Sequence, residues 1–185
     1  QNVDPFFQAT VQFKLAFLYY DGGQGIEKNW KKAESYFLEV ATQDVDPILK
    51  AKAQFDLGVL YKEGGEDVSK DLSKAERYFL AAATQDVDLI VKARAQFDLG
   101  VLYSKGGKGV EINFKEAEFY FLEVARQNGD PILKVKAQYN LGILYKNGIG
   151  GIVKSLNLAE VYFLEVARQN GNPILKVKAQ YNLGL

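Results

Sequence analysis

One spacing constrains this chain more than any other feature: the same pattern returns every 42 residues without slipping. Gly58, Gly100, Gly142 and Gly184 share a phase, each preceded by leucine, and Leu15-Ala16 holds that slot in the first copy. Tyr19, Tyr61, Tyr103 and Tyr145 follow three residues later, and YFLEVA or YFLAAA begins at Tyr36, Tyr78, Tyr120 and Tyr162. The string ILKVKAQYNLG occupies both 132–142 and 174–184. A fixed period of this size marks an array of supersecondary units, each covering its neighbour.

The punctuation of one period gives two helices. Asp46-Pro47 is a helix start, because the carboxylate caps free amides and proline at the first helical position gives up no needed N–H. Pro5, Pro131 and Pro173 repeat that start; Leu89 replaces proline in the third copy, but Asp88 still supplies the cap. The first helix is predicted to run from Pro47 to about Lys62 and to end at Gly64-Gly65. A second begins after Asp71, whose counterparts Asn29, Asn113 and Ser155 are all good caps. Its apolar stripe, Ala75, Tyr78, Phe79, Leu80 and Ala82, has helical spacing. Between hairpins, Asp44, Asp86, Asn128 and Asn170 share a phase and tolerate left-handed backbone, so the helix-ending αL residue is expected there.

The predicted fold is therefore all-α: four 42-residue helix pairs, about 4–45, 46–87, 88–129 and 130–171, plus a terminal helix over 172–185, as one repeat domain. With 48% hydrophobic residues and no apolar run near twenty, a water-exposed stack with a real core is expected, not a membrane span. Cysteine, histidine and methionine are absent, which removes disulfides, thiol nucleophiles and histidine-based metal or acid–base chemistry. The missing methionine, with Gln1 at the start, points to a piece of a longer chain, and no signal or transit segment is visible.

The residues Leu57-Gly58, Tyr61, Ala75, Phe79 and Ala82 resemble the tetratricopeptide signature. Ala53-Gln54-Phe55-Asp56-Leu57-Gly58, with the loop Gly106-Gly107-Lys108-Gly109-Val110, is more similar still to Sel1-like repeats. Tetratricopeptide repeats run about 34 residues, and the surplus here sits mainly in Pro47-Ile48-Leu49-Lys50, which makes the chain similar to the bacterial 42-residue TPR-like repeats. The resemblance implies a right-handed superhelix whose concave surface is lined by the first helix of each repeat, and a role in protein–protein interaction.

If the first helix faces inward, a wheel of about 100° per residue groups the side chains of that surface. Lys52, Asp56 and Val59 share a sector, with Phe55 and Lys62 on its shoulder. Followed along the array, the candidate peptide-binding residues are Lys52, Phe55, Asp56, Val59 and Lys62, then Arg94, Phe97, Asp98 and Val101, then Lys136, Tyr139, Asn140, Ile143 and Lys146. Cations beside rings suit an extended acidic or apolar segment. The plainer interpretation makes the same residues helix packing and i,i+4 pairs on a wet surface. Two phases complete the map. Glu34, Glu76, Glu118 and Glu160 are expected as a solvated outward ladder, whereas Lys50, Lys92, Lys134 and Lys176 fall in the buried sector and must project past the second helix or snorkel.

The expected function is a protein-binding scaffold, not an enzyme, with no cofactor, no metal, no nucleic acid and no membrane partner. Lys plus Arg equals Asp plus Glu at 23 each, so no overall field recruits polyanions. GGKG at 106–109 lacks the spacing and preceding strand of a phosphate-binding loop and is a connector. The alternative is a structural spacer or self-associating rod, which high identity between copies favours and which would join end to end through the exposed terminal helix.

Overall fold

The computed structural model describes residues 4–23, 25–127, 129–169 and 172–184. Among them are nine α-helices and no strand: α1 Pro5–Asp21, α2 Trp30–Thr42, α3 Pro47–Glu63, α4 Leu72–Ala83, α5 Leu89–Lys105, α6 Phe114–Arg126, α7 Pro131–Asn147, α8 Leu156–Arg168 and α9 Pro173–Leu183. The chain forms two compact units, Gln1–Ala95 and Gln96–Leu185, so the division falls inside α5. In the first unit α2 packs between α1 and α3, α4 packs on α3, and α1 also touches α3. In the second, α6 packs on α7, α8 lies between α7 and α9, and α7 touches α9. Like helices of adjoining repeats thus lie side by side, as a stack of hairpins requires.

The caps are those the residues dictate. Asn29, Asp71, Asn113 and Ser155 each accept a backbone N–H three residues on, and Asp46 and Asp130 each accept two. Gly64 closes α3 at φ 67°, and a Cβ there would also fall 2.6 Å from the Lys70 nitrogen. From such a turn the loop doubles back: the amides of Asn29, Asp71, Asn113 and Ser155 donate to the carbonyls of Tyr19, Tyr61, Tyr103 and Tyr145 at 2.8–2.9 Å. GGKG is indeed a connector, closed by a bridge between Gly107 and Val110.

The second helices of the first, third and fourth pairs end in extended backbone one residue before the expected αL position. Gln43, Gln127 and Gln169 are already extended at the cap, with φ −82°, −76° and −84°, and Thr84 closes α4 in the right-handed region. The backbone of α2 is thus extended before Asp44 is reached, while Asn128 and Asn170 lie outside the described residues. A side-chain bond stands in for the αL turn. Gln43 donates to Gln12, Gln85 to Gln54, Gln127 to Gln96 and Gln169 to Gln138, always 31 residues apart, tying the end of each second helix to the middle of the first.

The core repeats one pattern of three buried residues on each second helix. Ala33, Phe37 and Val40, with their counterparts on α4, α6 and α8, are 3% exposed or less. In the last three repeats the phenylalanine sits on the glycine of the preceding helix, a slot that Ala16 fills in the first: a Cβ on Gly58 would fall 2.5 Å from the Phe79 ring, and one on Gly142 2.6 Å from that of Phe163. At those three crossings only glycine allows the approach seen.

Candidate functional site

In the first unit the predicted face of α3 comes together around Asp56. Desolvation pushes this carboxyl up to about 7, against the opposing pull of Arg94 and Lys52. With Val59 it lines a cavity of about 50 Å³ that Phe17, Tyr20 and Phe37 close. Lys52 does not pair with Asp56 as an i,i+4 partner; its Nζ lies 3.8 Å from Asp88, the cap of α5. Phe55 is half-buried, its ring centroid 5.8 Å from that of Phe79. Lys62 Nζ stands 5.7 Å over the same Phe79 ring, and Arg94 is exposed.

The second unit repeats the face with other charges. Phe97 packs on Phe121 and Tyr139 on Phe163, both at 5.8 Å, while Asp98, Val101, Lys136, Asn140 and Ile143 are half-buried. Lys146 Nζ donates to Asn182 Oδ1 at 2.8 Å. Asparagine at 140 and 182 leaves Lys136 and Lys178 without an intrahelical acid, and among the described residues neither makes an ion pair. Residues 96–185 hold 11 Lys and Arg against 8 Asp and Glu, whereas residues 1–95 hold 12 against 15. The aromatic members of the face are thus half committed to packing, and the free cations are concentrated in the second unit.

The glutamate ladder departs in part from its expected outward place. Glu34 is not on a solvated outer face: it is 7% exposed, accepts the Tyr61 hydroxyl of the next repeat and pairs with Lys31 at 2.7 Å. Burial pushes its carboxyl up, but the hydrogen bonds from Lys31 and Tyr61 and the charges of Lys31 and Lys74 outweigh that, leaving it below its ordinary value. Glu118 is half-buried, and its charge adds to the burial that pushes the Tyr145 hydroxyl up. Glu160, by contrast, is exposed. The reason is reach across repeats: a tyrosine 27 residues downstream sits over the glutamate, which a wheel of a single helix does not display. Lys50 and Lys92 keep part-buried stems, as snorkelling requires, and carry their ammonium groups to the exposed carboxylates of Asp44 and Asp86 in the turn behind them.

Sequence reasoning missed the glutamine rungs and the surroundings of Trp30. Both glutamine phases, 12/54/96/138 and 43/85/127/169, are filled in all four repeats, and that internal invariance of a polar residue was the available signal. Trp30 stacks on Tyr20 at 5.1 Å, donates Nε1–H to the Tyr20 carbonyl and carries Lys28 Nζ 4.4 Å above its ring. It walls a cleft of about 550 Å³ with Lys28, Gly65, Glu66 and Asp67. No cluster of metal-ligating side chains is present among the described residues, and no helix there is long and apolar enough to cross a membrane.

Comparison with known proteins agrees with this anatomy. The Sel1 repeat profile matches residues 9–45, 51–87, 93–129 and 135–171. The residues left between matches, 46–50, 88–92 and 130–134, are the extended starts of α3, α5 and α7. A crystal structure of a Sel1 repeat protein from Oxalobacter formigenes superposes with a TM-score of 0.70 at 29% identity, over 96% of this chain and 62% of that one. The antigen c5321 of uropathogenic Escherichia coli, which displays an SLR fold, gives 0.55 at 24% identity, over 96% and 42%. The chain therefore spans about three-fifths and two-fifths of these two structures. Among curated proteins no sequence matches it.

Proposed function

The chain belongs to the Sel1 repeat family, a family of repeat scaffolds for protein–protein interaction, and from that premise we propose that it binds an extended acidic or apolar peptide along its first-type helices. In the first unit the contacts are Lys52, Phe55 and Arg94; in the second they are Phe97, Lys136, Tyr139 and Lys146. The observation that carries this reading is the pair of cations at 136 and 178, which lack an acidic partner beside the half-exposed ring of Tyr139. A carboxylate brought by a ligand would meet them without first breaking an internal ion pair. The rings supply apolar contact at low entropic cost, because packing on Phe121 and Phe163 already fixes them.

The test is titration of the full chain with a fluorescent peptide alternating Asp or Glu with Leu or Phe. Binding is expected to weaken at least about tenfold in Lys136→Glu/Lys178→Glu, and to fall with rising salt. Equal binding by parent and variant removes the site.

A further inference from the structure

Among the carboxylates of the first unit, Asp56 is set apart by what surrounds it. Phe17 and Tyr20 of α1, Phe37 of α2 and Val59 of α3 line one cavity of about 50 Å³ with it. Phe17 meets Phe37 edge to face at 5.3 Å, Tyr20 stacks on Trp30 at 5.1 Å, and the Tyr20 hydroxyl donates to Glu63 at 2.8 Å. The rings are therefore fixed before any ligand arrives. Tyr20, Asp56 and Val59 each keep part of their surface in water, which gives the cavity a mouth. The charges that act on Asp56 are Arg94 of α5 and Lys52 of its own helix, and the Tyr20 hydroxyl faces it from α1. Lys52 is turned to Asp88 at 3.8 Å, and among the described residues the Asp56 carboxyl makes no hydrogen bond and no ion pair.

A desolvated acid walled by three rings is the chemistry that holds an alkylammonium: the rings attract the cation and the carboxylate supplies its counter-charge. The first unit also carries an acidic excess, 15 Asp and Glu against 12 Lys and Arg. Volume sets the shape of the guest. At about 10–15 Å³ for each water-sized group the cavity takes about three to five of them, which matches the ammonium and last methylenes of a lysine. Two periods on, within the second unit, the same phases read Val101, Ser104, Phe121, Asn140 and Ile143. Two rings and the acid are gone there, so the combination belongs to the first unit and is not a by-product of the repeat. From this geometry we propose that the cavity of Phe17, Tyr20, Phe37, Asp56 and Val59 binds the side-chain ammonium of a lysine in a partner polypeptide. The proposal deepens the peptide-binding reading, on which it rests for the polypeptide nature of the ligand.

The probe is the blocked peptide Ac-Ser-Leu-Lys-Leu-Ser-amide, titrated into the full chain beside its norleucine counterpart and n-butylammonium chloride. The lysine peptide is expected to bind saturably, at least about tenfold more tightly than the norleucine peptide and at least about fivefold more tightly than n-butylammonium. Asp56→Asn should weaken it at least about tenfold; asparagine stands at that phase at 140 and 182, so the variant keeps the fold. With Asp56 raised to about 7, binding should be about tenfold tighter at pH 8 than at pH 6, because the carboxyl must ionise to pair while lysine stays charged throughout. Four outcomes overturn the proposal: no saturable binding, indifference to Asp56→Asn, equal binding of the norleucine peptide, which gives the cavity to an apolar side chain, or equal binding of n-butylammonium, which gives it to a free amine. The acidic-peptide titration of Lys136→Glu/Lys178→Glu holds or fails separately, since neither lysine lies in this cavity.

Discussion

Glu34 and Glu160 hold the same place in the repeat, one at its first copy and one at its last, yet the first is sealed under Tyr61 and the second faces water. The difference teaches that a residue's energetic role in this array belongs to the joint between repeats and not to the repeat. The sharpest way to break the comparison is to delete both carboxylates. Glu34→Ala strands the buried Tyr61 hydroxyl and should cost about 2–3 kcal/mol, whereas Glu160→Ala should stay within about 0.5 kcal/mol. Urea midpoints of the two variants decide it, and equal losses would show that the joint is not what matters.

Tyr61→Phe should cost about 1–1.5 kcal/mol. Combined with Glu34→Ala it should add little, because the two side chains share one bond and a double-mutant cycle reads that coupling. The Glu34 contribution is lost on acidification: its folded value lies below the unfolded one, so the stabilisation holds above the ordinary carboxylate range and disappears as pH falls through the folded value.

Asp56 gives the comparison with the opposite sign. Its folded value is raised from 3.8 to about 7, so between those pH values the folded chain keeps a proton that the unfolded chain releases, and stability falls as pH rises. Asp56→Asn, the residue that the second unit already carries at Asn140 and Asn182, should stabilise the chain by about 1 kcal/mol at pH 8. That gain should shrink toward zero near pH 4, a trend thermal melts at the two pH values would reveal. Smallest is Lys50→Ala, which breaks a surface pair with Asp44 and should shift stability by less than about 0.5 kcal/mol, and by less again in high salt.

The period was legible because it is written directly in the residues, and the caps because each depends on residues within one hairpin. Asn29, Asp46, Asp71 and Ser155 cap whatever lies beyond them. The glutamate ladder was misread because its partner tyrosine belongs to the next repeat, so a wheel of α2 alone leaves Glu34 on an apparently wet side. The αL turn was expected from the tolerance of Asp44 and Asp86 for that conformation. Tolerance is not selection: Gln43, bonded across the hairpin to Gln12, is already extended before Asp44 is reached. For the peptide face, a wheel of one helix could not show that Lys52 reaches Asp88 or that Phe55 leans on Phe79.

Trp30 is the one tryptophan in the chain, locked between Tyr20 and Gly65 under the ammonium of Lys28. Its emission therefore reports a single joint, where the first hairpin meets the loop of the second. An unfolding curve followed by that fluorophore would be silent about residues 96–185, and its midpoint set beside one from far-ultraviolet dichroism would reveal whether the array melts in one step or from an end.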